Sequence, residues 1–320
     1  MFNHAAAIGI DIGRYAIKIA VVKIDGEIIA VKSFPLDQDQ TRDYLIDKIL
    51  AAIRDVRQVV AVKGVNPICI GTSAKGFIDH KSGVILGPDQ GIKGWIDVPY
   101  AKIVKQETGL PAYVDNDANL MTIAEHRFGA AQGFRNIVFV ALRTGIGGGI
   151  IMNNKLYRGA NNAGGEIGQM IINWDNGPSD KGIKGSWEHF ASASSVVRRY
   201  NEETAAETAK KAKIISCKDI FELSYESSPE AVKVIKENSE MVGIGLANLI
   251  TIFAPEIIVL GGGMSEAQDS YFSMIRESAF LNSLENCRSG LRIERAQLGA
   301  SGSLLGSAYW SMISLAGQNI

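Results

Sequence analysis

The stretch VFVALRTGIGGGIIMNNKLYRGANNAGGEIGQ, Val138 to Gln169, decides how the rest of the chain is read. An apolar strand runs into a glycine-rich loop, a second strand follows, and the stretch closes on Gly164-Gly165-Glu166. Gly145, Gly147, Gly148 and Gly149, with Gly159 beyond them, leave bare backbone where two strands turn. Glycine tolerates positive φ and admits another body close to the main chain, so several N–H groups can face one anion. Thr144 to Gly149 is therefore expected to form a phosphate cradle, although an ordinary bulged hairpin turn accounts for the same glycines. Its company favours the cradle. Upstream lies Asp115-Asn116-Asp117-Ala118-Asn119, a polar knot directly after the apolar run Ala112 to Val114, and downstream lies Glu166.

Outward from that stretch, 320 residues with 46% hydrophobic content allow one large or, better, two modest domains, each with its own core. A net charge of −1 and a pI near 6.5 supply none of the basic field that a nucleic-acid partner requires. Cys69, Cys217 and Cys287 form no CxxC pair and are expected as buried thiols in a reducing compartment. The N-terminus lacks a basic leader, Asp11 interrupts its apolar run, and no stretch of about eighteen apolar residues is present to span a bilayer. A cytoplasmic protein without membrane contact is expected.

Ala5 to Lys23 is β-branched and isoleucine-rich, and Asp25-Gly26 followed by Glu27 to Ser33 predicts a hairpin. Within the first run Asp11-Ile12-Gly13 is either a bulge or a strand-end carboxylate that orients a magnesium ion through its water shell. Thr41 to Val62 places Leu45, Ile46, Ile49, Leu50, Ile53 and Val56 on one helical stripe that must cover a sheet. The strand Pro67 to Thr72 opens into Ser73 to Asp79 and then into a loop carrying Gly87, Pro88, Asp89, Gly91 and Gly94-Trp95. A helix over Ala101 to Thr108 leads to the strand Ala112 to Val114. The helix Ala118 to Phe128 follows, with Asp117 in its first turn and Asp115 or Asn116 as its cap. Beyond the central stretch, Asn173 to Gly185 reads as loop and Trp187 to Tyr200, Thr204 to Lys213 and Pro229 to Phe253 as helices. Ile257 to Leu260 is a buried strand ending in Gly261-Gly262-Gly263, either a second nucleotide approach or a plain strand-to-helix turn. A final strand within Leu291 to Leu298 and a helix over Ser301 to Leu315 close the chain. Blocks of strand, polar-glycine turn and strand begin at Ile8 and at Ile137, which implies two similar halves.

Taken together, Asp11-Ile12-Gly13, Asn116-Asp117-Ala118-Asn119, Thr144 to Gly149, Gly164-Gly165-Glu166-Ile167-Gly168 and Gly261-Gly262-Gly263 resemble, in order and spacing, the ROK family of sugar kinases and repressors. The resemblance covers essentially the whole chain. It implies an α/β, two-domain actin- and hexokinase-like (ribonuclease H-like) fold with an interdomain cleft. The expected small domain is 1–117 plus a helix over about 303–320, and the large one 118–302. The family's repressors carry an N-terminal DNA-binding segment for which no room is expected here, since the first strand begins at once; the kinase branch is favoured. By resemblance Asp117 is the catalytic base, and Asn116, Glu166, Glu188, Gly76, Asp89 and Gln169 join it in contacting a hexose. Asp11, Gly13, Arg14, Thr144, Gly145, Gly147, Gly261, Gly262 and Gly263 face ATP, with Asp11 holding Mg2+ through water. The chemistry suits the side chains, because phosphoryl transfer depends on positioning and charge neutralisation and a carboxylate can take the hydroxyl proton. A homodimer is implied by resemblance alone.

Three departures qualify this picture. Family members often hold a structural zinc, but here the ligand positions are Gln169, Ser179, Lys181 and Ser186, while Gly182 and Gly185 survive; no zinc is expected, and none of these is a competent donor set. His189 is expected as an ordinary helix residue. Arg14-Tyr15 and Arg143 stand where glycine and small residues are usual. Their guanidinium groups either pair with phosphate oxygens or fill the space ATP needs. The first outcome yields an ATP-dependent hexose kinase, glucose the default acceptor; the second yields a sugar-binding sensor without catalysis.

Overall fold

The computed structural model describes residues 5–36, 40–87, 91–174, 183–204 and 215–318. The chain forms a mixed α/β fold of two compact units, one made of 1–133, 149–164 and 297–320, the other of 134–148 and 165–296. In chain order the first unit begins with β1 (Ala6–Ile12), β2 (Ala16–Lys23), β3 (Ile28–Pro35) and α1 (Arg42–Ala61). It continues through β4 (Ile70–Ala74), β5 (Phe77–Asp79), β6 (Val84–Gly87), α2 (Tyr100–Thr108), β7 (Ala112–Asn116) and α3 (Asp117–Phe128). Then come β8 (Ile137–Leu142), β9 (Ile146–Met152) and β10 (Lys155–Leu156), the unit boundary falling inside β9. The second unit adds α4 (Trp187–Ala191), α5 (Ala193–Thr204), α6 (Cys217–Tyr225), α7 (Pro229–Phe253), β11 (Ile257–Gly261), α8 (Asp269–Leu281) and β12 (Arg292–Arg295), and α9 (Gly302–Leu315) returns to the first.

The first sheet has the order β3-β2-β1-β4-β7, with β1 antiparallel to β2 and parallel to β4, and β4 parallel to β7. Period-two alternation divides β1 cleanly. Ala6, Ile8, Ile10 and Ile12 join the core with the α1 stripe of Leu45, Ile49, Ile53 and Val56, while Ala7 belongs to a second core with Ala124, Leu304 and Ala308. On that second face small residues are obligatory. A Cβ built on Gly9 would lie 2.4 Å from the Leu304 carbonyl oxygen, and one on Gly71 1.8 Å from that of Ser307. The helix α9 therefore packs on strand backbone rather than on side chains. Its approach to α3 is equally close, since a Cβ on Gly306 would lie 1.9 Å from the Leu120 carbonyl oxygen.

The second sheet, β10-β9-β8-β11-β12, repeats the same plan of hairpin strands on one side and parallel strands on the other. The two halves read from Ile8 and Ile137 thus share a strand order. Every residue of β8 and β11 is buried, as expected for parallel strands covered on both faces. Among the helices of this unit α7 packs against α4, α5, α6 and α8.

Several expectations need correction. The division after Asp117 does not hold, because α3 and residues 149–164 lie in the first unit, drawn there by the packing of α3 on α9. The helix expected over Trp187 to Tyr200 breaks at Ser192, whose Oγ accepts the Ser195 N–H and restarts the chain as α5. The hairpin β5–β6 and the helix α6 were not anticipated. Of the three cysteines only Cys69 is fully buried, while Cys217 and Cys287 are partly exposed. The expected helix Thr204 to Lys213, Asp89, Ser179, Lys181 and Gly182 lie, Thr204 apart, outside the described residues.

Candidate active site

In the first unit the parallel strands β1, β4 and β7 end together. Asp11 is in register with Ser73, and Ser73 with Asp115. Carboxyl ends of parallel strands are where α/β sheets gather ligands. Asp11 is half-buried there. The next position of β7 is Asn116, whose Oδ1 accepts the N–H groups of Ala118 (2.9 Å) and Asn119 (3.3 Å) and so caps α3. Its Nδ2 donates to the Gly76 carbonyl at 3.1 Å, which joins two expected sugar contacts, Gly76 and Asn116, directly. Asp117, half-buried, is the first residue of α3, and a carboxylate at a helix N-terminus is favoured by the helix dipole.

Asp115 is not itself aimed at a ligand. One of its oxygens accepts the Asn116 N–H at 2.7 Å and the Asn119 side chain at 3.1 Å. The other accepts Nε and Nη2 of Arg158 at 2.9 and 2.7 Å, in a pair almost wholly withdrawn from solvent. Arg158 also lies over the Trp310 ring of α9. The sequence reading missed Arg158, and its signal was weak, since an arginine in a polar glycine loop predicts solvent exposure. Beside it the His80 imidazole is held below its ordinary pKa of 6.5, chiefly by burial and next by Arg158, against the opposite pull of Asp115, Asn162 and Asp79.

The hairpin tip between β1 and β2 carries Gly13, Arg14 and Tyr15, with the Gly13 N–H donated to the Ala16 carbonyl at 3.1 Å. Arg14 and Tyr15 are exposed and stack on each other, the guanidinium carbon 5.5 Å from the ring centre.

In the second unit the glycine loop is shorter than expected. Only Arg143, Thr144 and Gly145 form the turn; Gly147, Gly148 and Gly149 belong to β9. None of these four glycines has positive φ. What requires glycine is proximity, for a Cβ on Gly148 would sit 2.2 Å from the Ile167 side chain. A Cβ on Gly145 would sit 2.4 Å from Glu188 Oε2. At the end of β11, by contrast, Gly262 has φ 90° and its Cβ position lies 2.3 Å from the Leu142 carbonyl oxygen, so no other residue closes β11 onto β8 in this way.

Between these two strand ends opens a pocket of about 550 Å3, lined by Arg143, Thr144, Gly263 and Met264 together with Phe221 and Tyr225 of α6. Its size suits a nucleotide-sized ligand. Cys217, also at its wall, has its thiol pushed up to about 12 by burial and is chemically quiet. The helix α6 begins with a capping box in which Ser216 Oγ accepts the Asp219 N–H and Asp219 accepts the Ser216 N–H. The sequence reading missed α6, and that Ser-x-x-Asp pattern is the signal that could have found it and with it the pocket's aromatic wall.

The three expected sugar contacts of this unit are also placed. Glu166 is exposed and begins the short 3-10 turn Ile167–Gln169. Gln169 Nε2 donates to Glu188 Oε1 at 3.3 Å, and Glu188 Oε2 accepts the Ile146 N–H at 2.9 Å. Ser186, one of the positions compared above with the family's zinc ligands, is buried and caps α4. His189 faces Arg198, which donates to its carbonyl at 2.8 Å, and so serves the helix.

A model of the ROK family matches residues 7–313. The chain is 31% identical to the glucokinase of Halalkalibacterium halodurans over 94% of its own length and 93% of that protein's. It is 29% identical to the xylose repressor of Bacillus spizizenii over 86% of its length and 69% of the repressor's. Among solved structures, a ROK family glucokinase from Streptomyces griseus in complex with glucose and AMPPNP superposes with a TM-score of 0.80 at 30% identity, covering 96% of this chain and 99% of that one.

Proposed function

The chain belongs to the ROK family, and from that premise we propose that it is an ATP-dependent sugar kinase acting on a hydroxyl of a hexose or hexose derivative, glucose first, with Asp117 as general base. The observation that carries the reading is the open pocket beside Thr144. Arg143 lines it without filling it, and a cavity of about 550 Å3 remains for the donor. This favours the kinase over a sensor with a closed donor site. Arg14, at an exposed hairpin tip, supports the same conclusion.

In this reading the exposed Thr144 hydroxyl and the backbone of Gly145 and Gly263 face the phosphates, and Arg143 supplies a positive charge as negative charge shifts to the leaving group. Asn116, Gly76, Glu166, Gln169 and Glu188 contact the sugar; carboxylates suit ring hydroxyls because they only accept. Asp117 takes the hydroxyl proton as the γ-phosphoryl group is attacked. Mg2+ would neutralise phosphate charge. Asp11 fits the role of holding its water shell, since magnesium binds through one or two carboxylates and keeps several waters. A homodimer belongs to the proposal by family resemblance and is checked by sedimentation velocity.

The deciding experiment is ADP release with ATP and Mg2+ against a panel of hexoses and amino sugars. Turnover with one of them names the acceptor. Calorimetric sugar binding without turnover by any of them would replace the kinase reading with the sensor.

A further inference from the structure

Glu188 stands at the second position of α4, and that helix is pinned on several sides. The Ser186 hydroxyl caps it, the Trp187 N–H donates to the Met170 carbonyl at 2.7 Å, and the Trp187 indole donates to the Met241 carbonyl at 2.9 Å. The carboxylate therefore leaves a rigid base. One oxygen holds the Ile146 N–H, the first amide after the Arg143–Gly145 turn, and occupies the space that a side chain at Gly145 would need. The other accepts from Gln169, whose own Oε1 is buried and accepts no hydrogen bond from the described residues. Gln169 can therefore donate to the carboxylate while keeping an acceptor for a hydroxyl.

Resting on the hexose and ATP assignment above, we infer that Glu188 is a positioning residue for the phosphate-facing turn as well as a sugar contact. It couples acceptor binding to nucleotide binding within the second unit. A ring hydroxyl donated to the Glu188–Gln169 pair removes rotamer freedom from the carboxylate. The same restriction keeps Ile146 N–H on Oε2 and holds Thr144 and Gly145 in the conformation that receives phosphate. Ordering done by the first ligand is not repeated by the second, which is positive cooperativity, and by linkage it is reciprocal.

The test measures binding of a non-hydrolysable ATP analogue with and without the hexose that the protein phosphorylates, and hydrogen exchange of the Ile146 amide without ligand. In the parent the hexose should tighten the analogue by on the order of tenfold. Glu188→Ala should bring that factor close to one and speed Ile146 exchange. Glu188→Gln, whose amide oxygen still accepts the N–H but whose amide nitrogen cannot accept from Gln169, should keep the exchange slow and retain part of the coupling. Gly145→Ala should lose the coupling with Glu188 intact, because its methyl displaces the carboxylate. If Glu188→Ala does not fold, equal coupling in Glu188→Gln and Gly145→Ala overturns the inference. So does an Ile146 exchange rate that Glu188→Ala leaves unchanged, whatever the kinase activity. If no hexose is bound at all, the kinase reading fails and the coupling with it, and the exchange comparison still reports whether Glu188 holds the turn.

Discussion

Asp117 and Asp115 are two residues apart in sequence and differ in their surroundings. Asp115 is consumed by Arg158, Asn119 and the Asn116 amide, whereas Asp117 sits on the first turn of α3 beside the Asn116 cap. Asp117→Asn keeps the size and the helix position and removes the proposed base, so kcat should fall at least about a hundredfold while sugar binding persists; steady-state ADP release and calorimetry together check this. His80 permits a pH prediction. Its folded-state pKa lies below 6.5, so as pH falls through about 6.5 the unfolded chain takes up a proton that the folded imidazole resists. Stability should decline from about pH 6.5 downward until the folded value is reached. Melting curves between pH 8 and pH 5 should show that slope in the parent and a shallower one in His80→Asn.

At the scale of elements, the first unit depends on how closely α9 lies on β1 and β4. Gly71→Ala places a methyl 1.8 Å from the Ser307 carbonyl oxygen, where only backbone movement can make room. A loss of about 3 kcal/mol or more is expected, since overpacking alone typically costs about 1–3 kcal/mol; urea unfolding measures it. The pocket wall depends on α6 in a milder way. Ser216→Ala removes one side of the capping box and should cost about 1 kcal/mol. It should also weaken ATP-analogue binding while leaving hexose affinity unchanged, because α6 carries Phe221 and Tyr225 into the pocket. Two titrations, one per ligand, separate these effects.

For the molecule as a whole, the family contains both enzymes and repressors, and this chain matches both at similar identity. Charge supplies a test between the alternatives. With Lys and Arg totalling 33 against 34 Asp and Glu, the chain carries no net positive field. Binding to a random DNA duplex at low salt should be undetectable by gel shift, and a shift that weakens steeply with added salt would return the repressor reading to consideration.

The sequence by itself determined most of the elements and the family. Period-two and helical apolar stripes placed most strands and helices, including α7 over Pro229–Phe253, and the glycine and carboxylate motifs identified the family. Those signals are local, written by residues close in the chain, and they survive without knowledge of the rest. Tertiary structure decided what each motif touches. It showed that Gly147, Gly148 and Gly149 are strand residues chosen for close packing, that Arg158 neutralises Asp115, that Glu188 holds the Ile146 amide, and that α3 belongs with α9. Each of these is a contact between residues distant in sequence, and its energy comes from burial and hydrogen bonding that exist only once the partners have been brought together.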